Sequence, residues 1–549
     1  MDRTGDHRSV SAIEQRLTAE QRPTAEQRPT AEQRPAAEQR PTAEQRLTAE
    51  QRPAAEQRPA AEQRPAARQR PTSPVVSASA FAPLATLDEL LAPVGLARDG
   101  SVGEVSFLGE DPLVPSRLRL GAAIAVPIMA CALGAATVWQ MRGGDRQDLE
   151  IDLREAIHGI TPEYAWHPTL NGLPHPHALL FDNFFTLAPY RTNDRRTVMA
   201  SGVYPHMVAS WLRFLDCPPQ WDRLVAAFAQ WDAAELEEAA GAAGLPLTIA
   251  RTVDEWLAHP HGARLAQTPV IQIEKLAGSS PQPFAPAQRP LSDIRVLSFT
   301  HAIAGPTVGR TLAEQGADVL NATFPDHFEH DFIYNEANVG SRSANLDLRL
   351  PEHAARVEQL LADVDIVVDN HRPGKLAHLG LDPGQLAGRH PGIVYVSVSA
   401  YGPGGPWGGR AGFDMNGSAV SGVMAIEGGE DDPKLPPTGL LNDFITGYLG
   451  AAGATAALVR RAREGGSYRV SVSLARTGMF VTSLGQVDPA LAGVTPEHEL
   501  REPASVLAET PLGTVEQLAP PVRFGSTAPR WADPILVPKG SSRPVWRDS

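Results

Sequence analysis

Four stretches in the second half of the chain carry residue types that could meet a ligand. In SRSANLDLR (Ser341–Arg349), Arg342 and Arg349 are guanidinium groups able to pair with phosphate oxygens, ordinary surface arginines being the competing reading. DIVVDNHRPG (Asp365–Gly374) runs from a β-rich segment into Asn370, His371 and Arg372 before a Pro-Gly turn. AYGPGGPWGGRAGFD (Ala400–Asp414) is a glycine-rich loop whose backbone could approach a ligand closely. It lacks the GK[ST] of a phosphate-binding P-loop. TGLLNDFITGYLGAAGATAAL (Thr438–Leu458) sets Asp443 before a helix in which Gly447, Gly450 and Gly453 form a small-residue seam. A carboxylate at that point either caps the helix, as Asp readily does, or stands free for chemistry.

The elements that must position these residues alternate in type. β-rich runs IRVLSF, DVLNATF, DIVVDN and GIVYVSVSA are separated by helical runs TVGRTLAEQGA and PEHAARVEQLLADV. This βαβ alternation predicts an α/β fold with a doubly wound, Rossmann-like parallel sheet, and ligands beyond the strand C-termini. Gly305-Pro306, in IRVLSFTHAIAGP, turns the chain at a strand end beside a helix N-terminus that favours anions. A Pro-rich stretch, Ser279–Pro290, marks a boundary before this half. Ahead of it, helices mix with a few strands; WDRLVAAFAQWDAAELEEAAGAAG (Trp221–Gly244) repeats its apolar residues at three and four, which predicts a helix with Trp and Phe in the core.

Bulk properties narrow the function classes. The chain has 549 residues, 42% of them hydrophobic, and a formal net charge of −14, which argues against a general nucleic-acid binder. Its two cysteines, Cys131 and Cys217, form no zinc or disulfide pattern and fit a reducing cytoplasm. The N-terminus carries no targeting signal. From Ile13 to Thr72 a hexapeptide of the form AEQRPT recurs, with proline in fixed register; this predicts a disordered tail, a charged docking arm being the alternative. Leu120–Met141 is uncharged and long enough to span a bilayer, but Pro127 and the Ala/Gly-rich make-up favour a buried helix. No membrane association is expected.

The chain also repeats itself. RGGDRQDLEIDL (Arg142–Leu153) and REGGSYRVSVSL (Arg463–Leu474) align without gaps, each after an Ala-rich helix, at an offset of 321. The same offset sets Ala122 opposite Asp443, so the first copy has no carboxylate where the second has one.

Taken in order, the second-half motifs resemble the class III (CaiB/BaiF, formyl-CoA transferase-like) CoA-transferases over about 190 residues. The resemblance implies that Asp443 is a nucleophile, attacking a donor thioester to give a mixed anhydride and then an aspartyl-CoA thioester, from which an acceptor acid takes the CoA. It implies CoA contacts at Ala302, Ile303 and Ala304, at Arg342, Leu346, Asp347, Leu348 and Arg349, at Asn370, His371 and Arg372, and at His378, Phe413 and Asp414. His371 is read as a contact rather than a base, a solvated loop histidine being the plainer alternative. No prosthetic group or metal is implied; acyl-CoA is a substrate and a carboxylic acid its partner.

Several positions depart from the family's pattern. Ile303 replaces a glutamine, His378 an arginine, and Asn321 and Thr323 the usual Lys and Glu after the second strand. Phe413 replaces the histidine that related 2-methylacyl-CoA racemases use for proton transfer, which disfavours a racemase. YRTNDRRTVMASG and DEWLAHPHGARLA (Tyr190–Gly202 and Asp254–Ala266) resemble the family's small α+β domain, yet precede the nucleotide-binding half. The expected organisation is therefore a repeat tail (1–75), an incomplete first copy without its own sheet or aspartate but with the small domain (76–285), a nucleotide-binding core (286–515) and a Pro-rich tail (516–549). The small domain would cover the second copy's site, and the chain would act as a homodimer or an internal pseudo-dimer. The leading expectation is CoA transfer; a non-catalytic CoA-binding protein is the alternative.

Overall fold

In the computed structural model, residues 81–98, 100, 102–160, 166–174, 183–438 and 440–547 are described; the hexapeptide repeat lies outside them. In the first half a helix over Pro83–Leu91 is followed by β1 (Val105–Leu108), α1 (Leu120–Met141) and β2 (Leu149–Asp152), β1 and β2 pairing in parallel. Helix α1 is long and apolar enough to cross a membrane, with a mean hydropathy of 2.0, and that stretch is wholly buried inside the protein. Pro127 sits within it.

The main sheet is built from β3 (Gln272–Ala277), β4 (Arg295–Phe299), β5 (Asp318–Thr323), β6 (Arg342–Asn345), β7 (Ile366–Asp369), β8 (Val394–Ser399) and β9 (Ser467–Ser473). Its spatial order is β6-β5-β4-β7-β8-β9-β3, all parallel except β3, which runs antiparallel to β9. The helices between strands include α2 (Ala304–Glu314), α3 (Pro351–Leu361), α4 (Pro383–Arg389), α5 (Asp414–Val420) and α6 (Leu441–Glu464).

Alternate strand residues point to opposite faces, and both faces are covered. Val296, Val368, Val396 and Val470 share one core with Val308 and Leu312 of α2 and Leu449 of α6. Leu297, Leu320, Val367 and Tyr395 share another with Val357 and Leu360 of α3 and Leu386 of α4. From β4 the chain steps outward to β5 and β6, then returns to β7 on β4's other side. The gap beyond the C-terminal ends of β4 and β7 is therefore a topological switch point, where open α/β sheets form a crevice.

The glycine seam of α6 is what lets that helix lie on the sheet. A Cβ on Gly447 would come within 2.5 Å of Thr307 Cβ and 2.9 Å of the Ala304 carbonyl oxygen, and one on Gly453 within 2.4 Å of Val470. Gly447→Val is expected to lower stability by about 1–3 kcal/mol through overpacking, read as a fall in the urea midpoint at unchanged slope.

Positions 321 apart meet or recur in the fold. Helices α1 and α6 pack side by side, and Gly134 faces Thr455, residues related by the same offset of 321: a Cβ at Gly134 would stand 2.1 Å from Thr455 Oγ1. A short helix starts after β2 at Leu153 and another after β9 at Leu474, again 321 apart. The first copy was expected to lack its own sheet; it retains β1 and β2, joined by β10 (Val522–Phe524) antiparallel to β2. So β10, from the end of the chain, completes the first copy's sheet, while β3, which follows the small domain, completes the second copy's. This exchange makes Ser77–Ser549 one unit rather than two halves divided near residue 286.

The stretch after residue 515 is not a free tail. Trp531, Ile535 and Leu536 are buried, the Gly340 N–H donates to Ile535 O at 2.6 Å, and Ala344 bridges to Ser541 beside β6.

The small domain forms around an antiparallel sheet of Pro189–Arg191, Thr197–Ala200 and Leu247–Ile249. The single helix expected over Trp221–Gly244 is two, Trp221–Phe228 and Ala233–Ala242, with Asp232 as N-cap of the second. Phe228 is buried as expected, whereas Trp221 is half exposed at the start of its helix. Arg251 and Glu237 form a buried bidentate pair here, at 2.8 and 2.5 Å, and Glu237 also accepts the Ile249 N–H at 2.8 Å. Arg251→Ala leaves that carboxylate without its charge partner and is expected to destabilise the protein by about 3 kcal/mol, seen as a lower Tm.

Candidate active site

A cleft of about 700 Å³ opens at the switch point. Its walls come from the turns after β4 and β7, the start of α6, the Ala411–Phe413 segment, and, from the first half, Tyr204–Met207, Ser210 and Ala243–Leu245. The small domain thus lines the same cleft as the sheet.

The two turns are locked together across the switch point. The Asn370 side chain accepts the His301 N–H at 3.1 Å and donates to the His301 carbonyl at 2.7 Å. Gly305 is required beneath it, since a Cβ there would lie 2.7 Å from Asn370 Cγ. His371 is not solvated: it is buried, and its Nδ1 lies 3.0 Å from Asp369 Oδ1.

Asp443 occupies the first turn of α6, and its carboxyl faces the cleft. It is not the helix cap. Asp414 does that work from the start of α5, its Oδ2 accepting the Asp443 N–H at 2.8 Å. Asn442 ties the two helices further, donating to Ser418 Oγ at 2.8 Å and to the Asp414 carbonyl at 3.1 Å. The first copy carries the same cap: Asp111 accepts the N–H groups of Gly121 and Ala122 at 2.8 Å each. Asp111 thus caps α1 as Asp414 caps α6, and Ala122 stands in the first turn of α1 where α6 has Asp443.

Both carboxyls are held above the ordinary carboxylate range. Burial raises Asp414, and the amides at the head of α6 pull it back. Burial also raises Asp443, and the charge of Asp414 raises it further. Of the pair, Asp414 has the amide donors that stabilise an anion, so Asp443 retains its proton longer.

A second cluster is centred on Tyr204, which with His301 lines the same cleft. The Tyr204 hydroxyl lies 3.3 Å from His301 Nδ1 and 3.3 Å from each Glu329 oxygen. Glu329 accepts the N–H groups of Ala302 at 2.8 Å and His330 at 3.1 Å. Burial holds Glu329 above the usual range and lowers His301 to about 3, so this imidazole is neutral. Sequence reasoning missed Tyr204, Glu329 and His301. The one available signal was that Tyr204 lies two residues beyond the small-domain motif ending at Gly202.

Of the expected contacts, Ala302, Ala304, Asn370, His371, Arg372, Phe413 and Asp443 line the cleft. The others do not. Ile303 is buried at the head of α2, and Leu346 and Leu348 are core residues under α3. Arg342 lies at the N-terminal end of β6, paired with Asp318 at 2.9 Å, the wrong end of the sheet for the cleft. Asp347 and Arg349 pair with each other at 2.7 Å, and His378 is exposed on a short helical turn away from the cleft. Asp414 is buried as the cap.

The glycine-rich loop also faces elsewhere. Gly404 and Gly405 have φ of +72° and +71°, and Cβ atoms there would meet Arg264 and His261, so the loop docks on the Pro260–Ala266 helix. Of the loop, its two ends, Ala400 and Ala411–Phe413, reach the cleft. Fixed cations at the cleft are Arg372 and Lys375, on the turn after β7. Among the described residues no group of three or more His, Cys, Asp or Glu is arranged to hold a metal ion.

Residues 291–511 match the model of CoA-transferase family III. Among characterised relatives, an acetyl-coenzyme A transferase, nodX, of Hypoxylon pulicicidum is 34% identical over 44% of this chain and 43% of its own length. A succinyl-CoA–D-citramalate CoA-transferase of Chloroflexus aurantiacus is 34% identical over 34% of this chain and 49% of its own. The chain thus spans about half the length of the curated relatives it matches. A crystal structure of a CaiB/BaiF family protein from Brucella suis is 26% identical, covering 41% of this chain and 65% of that one, with a TM-score of 0.34.

Proposed function

We propose that this chain, whose residues 291–511 match CoA-transferase family III, moves coenzyme A from an acyl-CoA to a carboxylic acid through an aspartyl-CoA thioester on Asp443. One observation carries the reading: the Asp443 carboxyl faces the switch-point cleft uncommitted, because Asp414 caps its helix instead.

The chemistry needs no external electron or proton. An oxygen of ionised Asp443 attacks the thioester carbonyl carbon; the C–S bond breaks, leaving a mixed anhydride and CoA thiolate. The thiolate then attacks the aspartyl carbonyl, and the donor acid leaves as its carboxylate. The acceptor carboxylate runs the same two steps in reverse. Arg372 and Lys375 give the cleft positive charge for a phosphate-bearing ligand. Phe413 contributes hydrocarbon where a racemase needs an acid or base, which favours transfer over α-proton exchange.

The reading extends to the chain's organisation. Two family copies, related by the 321 offset and the paired caps Asp111 and Asp414, exchange β3 and β10. The chain is then an internal pseudo-dimer with one nucleophile, the doubly wound sheet belonging to the second copy.

The test is to incubate the protein with a panel of acyl-CoAs, add hydroxylamine, and map the modified residue by mass spectrometry beside Asp443→Ala. A hydroxamate at Asp443, absent from the variant, is the expected result. Binding of CoA with no adduct across the panel would replace this reading with a non-catalytic CoA-binding protein.

A further inference from the structure

The Tyr204 cluster stands in the cleft without a part in the steps above. Tyr204 is the N-cap residue of the Pro205–Phe214 helix and is 6% exposed. Its ring packs against His330, at 6.0 Å between centroids, and edge-on to Phe413 at 6.2 Å, which fixes the ring over the cleft. Phe413 directly precedes the Asp414 that holds α6 and Asp443. Tyr204 therefore reaches the nucleophile's side of the cleft from the other half of the chain.

Its hydroxyl is poorly committed. Normal O–H···O bonds centre near 2.7–2.8 Å. Here the hydroxyl shares three contacts of 3.3 Å, two with Glu329 and one with His301. Glu329 is already satisfied by two backbone N–H groups at 2.8 and 3.1 Å, and so does not depend on the phenol. A donor in this state gives up little when it turns to a stronger acceptor. When Asp443 attacks the thioester, such an acceptor appears: the carbonyl oxygen becomes an alkoxide.

Resting on the transferase reading above, we propose that Tyr204 is a catalytic residue, donating its hydroxyl hydrogen bond to the oxyanion formed when Asp443 attacks the acyl group. The hydroxyl donates a hydrogen bond and keeps its proton throughout. Burial and the nearby charges of Glu329 and Asp443 hold the phenol well above its ordinary range, consistent with a donor that does not ionise. No charge is transferred, so Glu329 serves to position the phenol, and neutral His301 adds no competing positive charge. The active unit is then assembled across both halves: nucleophile from the second, oxyanion donor from the first.

The test compares wild type, Tyr204→Phe and Asp443→Ala in the full chain. Phe keeps the ring contacts and removes only the hydroxyl. Expected for Tyr204→Phe is a fall in kcat of about 10²-fold, an equal slowing of hydroxylamine-trapped Asp443 formation in single turnover, and CoA binding within about twofold of wild type. Trapping at the wild-type rate, or a loss confined to CoA affinity, overturns the proposal while leaving the transferase reading intact. If wild type forms no Asp443 adduct with any acyl-CoA, the transferase reading itself has failed. A Tyr204→Phe protein that melts well below wild type is checked with Tyr204→Leu, which lacks any side-chain donor. Recovered trapping in that variant overturns the proposal equally.

Discussion

Asp443→Asn is expected to lose CoA transfer by a factor on the order of 10⁴ or more, the scale seen when a nucleophile is removed from an otherwise intact site. The same substitution is expected to raise the melting temperature at neutral pH. The two effects share one cause. The carboxyl is buried beside Asp414, and both influences favour its protonated form. A group whose pKa is raised by folding stabilises the fold below its unfolded value, and that contribution is lost as pH rises through the folded value. Above that point the wild-type protein holds an unfavourable buried anion, and Asn does not. The gain should be about 1–2 kcal/mol, shrinking to nothing as pH falls toward the ordinary aspartate value. Thermal melts of both proteins from pH 4 to 8 measure it directly. An Asn variant no more stable than wild type at pH 8 would show that Asp443 is not strained by its surroundings.

Asp414 gives the second large effect, and two substitutions separate its roles. Asp414→Ala deprives the buried amides at the head of α6 of their acceptor and is expected to cost about 2–4 kcal/mol, at roughly 1–3 kcal/mol for each buried donor left unpaired. Asp414→Asn keeps an acceptor oxygen but removes the charge. Ionised Asp443 is the attacking form, so kcat/KM should fall as pH is lowered through its raised pKa. Without the Asp414 charge, that acid limb should move to lower pH. It should not reach the ordinary range, because burial is the larger of the two causes. An acid limb that stays in place in Asp414→Asn would mean that the rate reports another group.

Much of this architecture was legible in the chain. Residue type and period marked the strands and helices of the second half, and the glycines of α6 announced a close helix contact, because only a missing Cβ admits Thr307 and Val470. The offset of 321 between two short motifs set Ala122 opposite Asp443, but gave no sign that the helices preceding the two motifs pack side by side. Other positions were misread for a common reason. Arg342, Arg349 and the glycines of the 400–414 loop have the right types for ligand contact, but type does not reveal which end of a strand, or which neighbour, a residue meets. Arg342 opens β6 and pairs with Asp318; the loop meets Arg264 and His261 from the first half.

Residue type and local period were enough to read the alternation of strands and helices in the second half and to mark Asp443 near the start of a glycine-seamed helix. Only the tertiary structure decided which carboxylate caps α6 and which stays free, and that β3 and β10 change places between copies. It also decided that Tyr204 comes to stand in the cleft that holds Asp443. Those outcomes depend on contacts between residues tens to hundreds of positions apart. Their free energies come from burial and hydrogen bonding across elements, which no local pattern encodes.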